Sequence, residues 1–326
     1  MKFRSHYLDR NALAWYHDEV SEWKKPQKRR NERIKIMKKW SVLLVLCLTA
    51  GLFAGCGQKA DTNVVNDAEV ANVTATVADD VADEKDDSAR TTFTVGFDAE
   101  FPPYGYMDDN GEYVGFDLSL AAEVCERNGW ELIKRPIDWD SKDMELSSGS
   151  IDCIWNGFTM NGREEDYTWT AAYVDNSQVF VVAEDSGIVD FADLSGKAVG
   201  VQRDSSALSA LNDEETPENI TLRDSFGSLT EYADYNTAFM DLEAGALDAV
   251  AMDIGVAQYQ IDSRNGGYVI LDTYLASEEY GVGFLLGNTE LRDTVEATLM
   301  ELLADGTFAA IAEEWGLSDA VCLSGK

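Results

Sequence analysis

Three polar groups in this chain stand where strand-like segments end, and their types suit the two ends of a small zwitterion. Arg163 follows Asn156-Gly157-Phe158-Thr159-Met160-Asn161-Gly162, a polar loop leaving an apolar run. Asp204-Ser205-Ser206 lies between the strand-like Ala198–Val201 and the helical segment Ala207–Leu211, and Asp253 closes the apolar run Ala249–Met252. A carboxylate is matched by a planar guanidinium and by free N–H groups at a helix start. An ammonium is matched by an unpaired acid with hydroxyls or carbonyls around it. Aromatic side chains gather early in the same region, at Phe97, Phe101, Tyr104, Tyr106, Trp139 and Trp155. Each feature also has a plainer reading. Arg163 can pair with Glu164 or Glu165, Asp253 can cap the helical segment Ile254–Tyr259, and Phe101 and Trp139 can be ordinary core.

Other chemistries find less support. The chain's two histidines, His6 and His17, both precede Met37, and no Gly-x-Ser-x-Gly nucleophile or metal-ligand cluster is present. Asp108-Asp109-Asn110-Gly111 lacks the twelve-residue spacing of a calcium loop and reads as a turn. Neither a metal nor another cofactor is expected. A formal charge of −34 repels nucleic acid and anionic lipid, so a phosphate-backbone partner is excluded. Cys125, Cys153 and Cys322 show no paired spacing. Cys125 on a helix face and Cys153 in an apolar strand suit small core residues, and a Cys125–Cys153 disulfide stays open.

From Thr91 onward, strand-like and helix-like segments alternate. Phe93–Phe97, Ile151–Trp155, Val179–Val182, Ala198–Val201, Ala249–Met252, Tyr268–Leu271 and Gly281–Leu286 read as buried strands. Asp117–Asn128, closed by Gly129, reads as a helix, as do Asn236–Ala244 and Leu291–Leu303. This order predicts α/β units with mixed, mostly parallel sheets. Glu145-Leu146-Ser147-Ser148-Gly149-Ser150-Ile151-Asp152 is echoed by Asp241-Leu242-Glu243-Ala244-Gly245-Ala246-Leu247-Asp248. In both, a helix ends at Gly, turns, and feeds a buried strand after Asp, as two similar lobes require. Open α/β sheets bind ligands beyond the carboxyl ends of their strands, which directs attention to Asn156–Thr159 and Asp253.

The N-terminal part has a different character. Residues 37–56 combine two lysines, an apolar stretch from Val42 to Phe53 too short to span a bilayer, and Ala54-Gly55 before Cys56. They are similar to a bacterial lipoprotein signal peptide, with Phe53 where Leu is usual. A start at Met37 is therefore expected, with 1–36 as upstream sequence included in error, a signal peptide at 37–55, and lipid on Cys56. The alternative is a cytoplasmic tail before an internal signal anchor. Residues 56–90, acidic and without an aromatic, read as a tether spanning roughly 30 Å.

Several segments together resemble the bacterial extracellular solute-binding proteins of family 3, the receptors of polar amino-acid ABC importers, over about residues 92–316. They are Val95-Gly96-Phe97-Asp98 with Pro103-Tyr104, Gly111 to Asp117, Leu146 to Asp152, Gly157-Phe158-Thr159, Asp193 to Lys197 and Asp305-Gly306-Thr307-Phe308. The resemblance implies a two-lobed fold of the periplasmic-binding-protein type II kind with a two-crossing hinge. Lobe 1 would be 91–175 plus 279–326 and lobe 2 would be 177–277. It implies that Arg163 takes the ligand carboxylate, helped by Ser205 and Ser206. Asp253 would take the ammonium, with the Gly157 carbonyl and the Thr159 hydroxyl. Phe101 and Trp139 would sandwich the ligand side chain, and Asp98 would face its far end. The expected ligand is a polar or basic L-amino acid, with cystine open, bound without catalysis by a lipid-anchored, extracytoplasmic monomer that delivers to a permease. A dehydratase-like enzyme using Asp98 and Glu100, or a sensor without transport, are the alternatives. Two departures from the family pattern stand out: Arg163 is one residue closer to Thr159 than usual, and Asp204 replaces a usual Gly. An acid there would repel a carboxylate unless it points away or pairs with Arg203.

Overall fold

Alternating apolar residues in Thr92–Phe97 (β1) bury Phe93, Val95 and Phe97, as a strand with a helix packed on it must. The computed structural model describes residues 90–324 except Asn265. Residues 1–36, the signal-like segment 37–55, Cys56 and all of the tether but Arg90 lie outside the described residues. A small antiparallel sheet follows, built from β2 (Glu100–Phe101), β3 (Gly105–Met107) and β4 (Tyr113–Val114). Helix α1 (Phe116–Asn128) ends at Gly129, whose φ of 70° is the left-handed conformation that closes a helix. Strand β5 (Glu131–Pro136) pairs parallel with β1.

A turn at Trp139–Ser141 leads into α2 (Lys142–Ser147), then β6 (Cys153–Ile154) and β7 (Tyr167–Trp169). The chain enters a second sheet at β8 (Val174–Ala183) and continues through β9 (Ala198–Gln202), α3 (Ser206–Asn212), α4 (Pro217–Ser225), β10 (Ser228–Tyr232) and α5 (Tyr235–Glu243). It goes on through β11 (Ala249–Asp253), α6 (Ile254–Ser263), β12 (Tyr268–Ile270) and β13 (Ala276–Tyr280). It returns to the first sheet at β14 (Gly283–Leu285) and finishes with α7 (Thr289–Asp305) and α8 (Thr307–Trp315). The first sheet has the order β5-β1-β6-β14-β7 and the second β10-β9-β11-β8-β12, with β13 also on β8. The fold is thus two-lobed and α/β, with two chain crossings between the lobes, at 170–173 and 281–282. Both sheets are mixed: β5-β1-β6 and β10-β9-β11 pair in parallel, while β7, β8, β12, β13 and β14 pair antiparallel. Among the described residues, no helix is long and apolar enough to cross a membrane.

The repeated octapeptide forms the same device in each lobe. Helices α2 and α5 stop before Gly149 and Gly245, with φ of 74° and 71°. The Asp152 amide then donates to the Thr94 carbonyl at 2.8 Å, while its carboxylate accepts from the Thr94 amide at 2.7 Å. Asp248 does the same with Ala198, at 2.8 Å for both bonds. Each aspartate thereby clamps the start of its strand to the start of a parallel neighbour. Cys125 and Cys153 are buried free thiols, and burial pushes the Cys125 thiol up to about 12.

Candidate functional site

The carboxyl ends of β1, β6, β9 and β11 carry Asp98, Asn156-Gly157, Ser205-Ser206 and Asp253, so both lobes present polar groups to one region. Strand β11 lies between β9 and β8, and all five of its residues are buried. That position buries Asp253 as well. Asp253 holds the N-cap position of α6, yet its side chain makes no capping bond. The carboxylate turns inward instead. It accepts from Asn176 Nδ2 at 2.9 Å, Gln178 Nε2 at 2.7 Å and the Tyr280 hydroxyl at 2.6 Å.

Beside it stands Glu278, a buried acid that the sequence reading missed. Its Oε1 accepts from the same two amides, Asn176 and Gln178, each at 2.7 Å, and from the Thr159 hydroxyl at 2.9 Å. A signal was available: in Ala276–Tyr280 the alternation places Ser277 and Glu279 outward and Glu278 and Tyr280 inward. Burial raises the pKa of both acids, and the neighbouring Asp253 charge helps push Glu278 up to about 7. No lysine or arginine pairs with either among the described residues.

Arg163 supplies the opposite charge. A tight turn, in which its amide donates to the Met160 carbonyl at 2.9 Å, brings it back despite the one-residue-shorter spacing. Trp169 Nε1 donates to its carbonyl at 3.0 Å and fixes that turn. The half-buried guanidinium donates to the Thr159 carbonyl at 3.3 Å and to the Ser206 hydroxyl on the other lobe at 3.0 Å. It forms no ion pair, with Glu164, Glu165 or any other described acid. Thr159 therefore lies between an unpaired cation, reached through its carbonyl, and an unpaired acid pair, reached through its hydroxyl.

The remaining expected residues surround this axis. Ser205 caps α3 through a bond from the Leu208 amide at 3.2 Å, so its hydroxyl is engaged. The Gly157 amide donates to Asp117 at 2.6 Å. Its φ of 55° suits glycine, and an added Cβ would meet Phe101 at 2.8 Å and Tyr280 at 3.0 Å. Asp98 is buried and accepts from Gln202 Nε2 of the other lobe at 2.7 Å; burial lifts it to about 6. Phe101 packs against Tyr104 and Tyr235, with ring centroids 5.7 and 5.9 Å apart. Trp139 meets Phe158 edge-on at 5.5 Å and donates to the Asp204 carbonyl at 3.2 Å.

Asp204 has a physical explanation that the sequence did not supply. Its φ of 55° is left-handed, which accounts for a usual Gly at this place. Its carboxylate pairs with the buried Lys142 of the other lobe, and not with Arg203, one of the two alternatives left open for it. Arg203 pairs with Asp140 at 2.6 Å. The turn before α2 and the turn before α3 are thus joined across the lobes.

These features define a class: a two-lobed α/β binding protein with a polar, charge-complementary site where the lobes meet. The chain belongs to the bacterial extracellular solute-binding proteins, family 3, whose model matches residues 93–318. It is similar to the L-cystine-binding protein TcyJ of Escherichia coli, with 28% identity over 69% of this chain and 83% of that protein. The ABC transporter arginine-binding protein 1 of the same species is 27% identical over 70% of this chain and 92% of that protein. Among solved structures, an ABC uptake transporter substrate binding protein from Streptococcus pneumoniae with bound histidine superposes with a TM-score of 0.67 and 32% identity. That match covers 71% of this chain and 95% of the other. The ancestral amino acid-binding protein AncCDT-1, a precursor of cyclohexadienyl dehydratase, gives a TM-score of 0.62 at 26% identity, covering 69% and 95%.

Proposed function

We propose that this protein is the extracytoplasmic receptor of an ABC importer and binds a polar or basic L-amino acid between its lobes. One observation carries the reading: an unpaired guanidinium at Arg163 and an unpaired acid pair at Asp253 and Glu278, separated by the single residue Thr159. That is the charge pattern of an α-amino acid's carboxylate and ammonium, turned inside out. Ser206 assists Arg163, and Ser205 supplies the helix start. Phe101, Trp139 and Asp98 bound the side-chain end, where a buried carboxylate favours a cationic or amide group. The relatives' cystine, arginine and histidine ligands fit this range.

Closure is favoured by ligand because the bridging contacts exist only when the lobes meet. A permease would read that closure. The protein acts without catalysis in this reading, is a monomer, and is held at the membrane by lipid on Cys56. Replacing Cys56 by Ala should release it into the soluble fraction.

The direct test is a thermal-shift screen against the twenty amino acids, ornithine and cystine. A ligand binding only the folded state adds about 2.7 kcal/mol at a hundredfold excess over its Kd. A rise with one or a few L-amino acids, with the ligand recovered unchanged, supports a receptor. No rise in a folded, ligand-free sample overturns it, and consumption of the ligand would favour the dehydratase-like alternative.

A further inference from the structure

We propose that Glu278 is a second binding carboxylate for the ligand's ammonium, so that the cation lies between Asp253 and Glu278 instead of on Asp253 alone. The inference rests on the receptor reading and deepens it. Asp253 Oδ1 and Glu278 Oε1 share the same two donors, Asn176 Nδ2 and Gln178 Nε2, at 2.7–2.9 Å, which brings the two acids onto one small patch. The oxygens of those amides, Asn176 Oδ1 and Gln178 Oε1, are buried without a hydrogen-bond partner among the described residues. Asn176 and Gln178 are themselves nine-tenths buried or more. Two buried carboxylates therefore share one patch with neutral donors but no counter-charge, beside two amide oxygens that lack a donor. An ammonium, with three N–H groups and a positive charge, supplies what is missing.

No other positive group can serve. The phenols Tyr104, Tyr235 and Tyr280, from the first lobe, α5 and β13, feel the charge of this pair, and burial keeps each of them neutral. Asp117, the other acid that acts on Tyr104, has its own carboxyl raised to about 7 by burial and offers no positive charge. Arg163 reaches only the carbonyl side of Thr159. Two like charges this close cannot both ionise freely, so the empty pair keeps a proton near neutral pH. When the ammonium enters, that proton leaves to solvent and the net charge of the pocket is conserved.

Calorimetry of the full chain and of Glu278→Gln, with L-arginine, L-glutamine and L-cystine as probes, tests this. Titrations at pH 7 in two buffers of different ionisation enthalpy count the protons released. The wild type should release up to one proton per ligand. Glu278→Gln should release less and bind about tenfold to a hundredfold more weakly, the range for a lost charged hydrogen bond. Its empty form should melt no lower than the wild type, because the amide keeps an acceptor and removes a buried charge. A merely structural glutamate would lower affinity and melting temperature together, and that result overturns the proposal. Unchanged affinity and proton count in Glu278→Gln also overturn it. If the variant does not fold, the wild type decides: no proton release between pH 6 and 8 is fatal. Absence of binding by the wild type to any probe, or to any member of the thermal-shift panel, fails the receptor reading itself and is distinguishable from both.

Discussion

The two charged ends of the site are built on opposite terms. Arg163 is half-buried, leaves a loop rather than a strand, and meets neutral partners: the Thr159 carbonyl, the Ser206 hydroxyl and the face of the Phe158 ring. A guanidinium keeps its charge in such a place at little cost to folding. Asp253 and Glu278 sit on strands of the second sheet, buried, side by side and without a counter-ion. Their charge is suppressed by the fold until something positive arrives. The cationic end is ready and inexpensive, whereas the acidic end carries a burial penalty that, in the proposed reading, the ligand's ammonium relieves.

Substitutions at the two ends should therefore differ in kind. Arg163→Ala is expected to give the largest effect on binding, weakening it by a hundredfold or more, since truncating one partner of a desolvated charge pair costs about 2–5 kcal/mol. The empty protein should barely change in stability, within about 0.5 kcal/mol. Asp253→Asn is expected to weaken binding by about tenfold to a hundredfold while raising the melting temperature of the empty protein at neutral pH. Calorimetry and thermal melts on the same samples read both quantities. Equal stability loss at the two ends would erase the contrast.

The pH dependence sharpens it further. Asp98, Asp117 and Glu278 have pKa values raised by burial to about 6, 7 and 7. An acid whose folded pKa lies above its unfolded value binds more protons when folded, so these groups lower stability as pH rises. The window runs from the unfolded values of 3.8 and 4.5 up to about 7. The empty protein should melt higher near pH 5 than near pH 8, and Asp117→Asn should flatten the slope. Saturating ligand should flatten it too, and should flatten it less in Glu278→Gln, where only Asp253 is left to respond. A stability maximum at pH 8 in the empty protein would contradict the account of the acidic end.

What the sequence revealed, and what it hid, follows the same division. The clamps at Asp152 and Asp248 were legible because a helix end, a glycine turn and a strand start are local, and their spacing alone sets them. The places of Arg163 and Asp253 were legible because each follows a recognisable unit, while their roles toward a ligand belong to the proposal. Glu278 escaped because strand β13 was not anticipated: the reading began a strand at Gly281, one residue after β13 ends at Tyr280. An acid in an unassigned stretch looks like surface. The Lys142–Asp204 pair escaped for another reason, since its partners are 62 residues apart on different lobes. Nothing local marks Lys142 for burial.

The two ends stand on different lobes, and Gly255 lies where those lobes touch. It lies in the first turn of α6, two residues after Asp253, and an added Cβ would meet the Tyr104 hydroxyl at 2.5 Å and its ring at 3.2 Å. Tyr104 belongs to the other lobe and packs edge-on against Tyr280 at 5.3 Å. The backbone at Gly255 has no positive φ, so alanine fits the helix itself and should favour it by roughly 0.5–1 kcal/mol. The clash appears only when the lobes meet. Gly255→Ala should then weaken ligand binding several-fold, the smallest of these effects, without lowering the melting temperature of the empty protein. Because the closest atom is the hydroxyl, adding Tyr104→Phe should restore part of the lost affinity, a coupling that a double-mutant cycle measures directly. Affinity loss that Tyr104→Phe leaves untouched would mean that the wedge acts within the second lobe, not where the lobes touch.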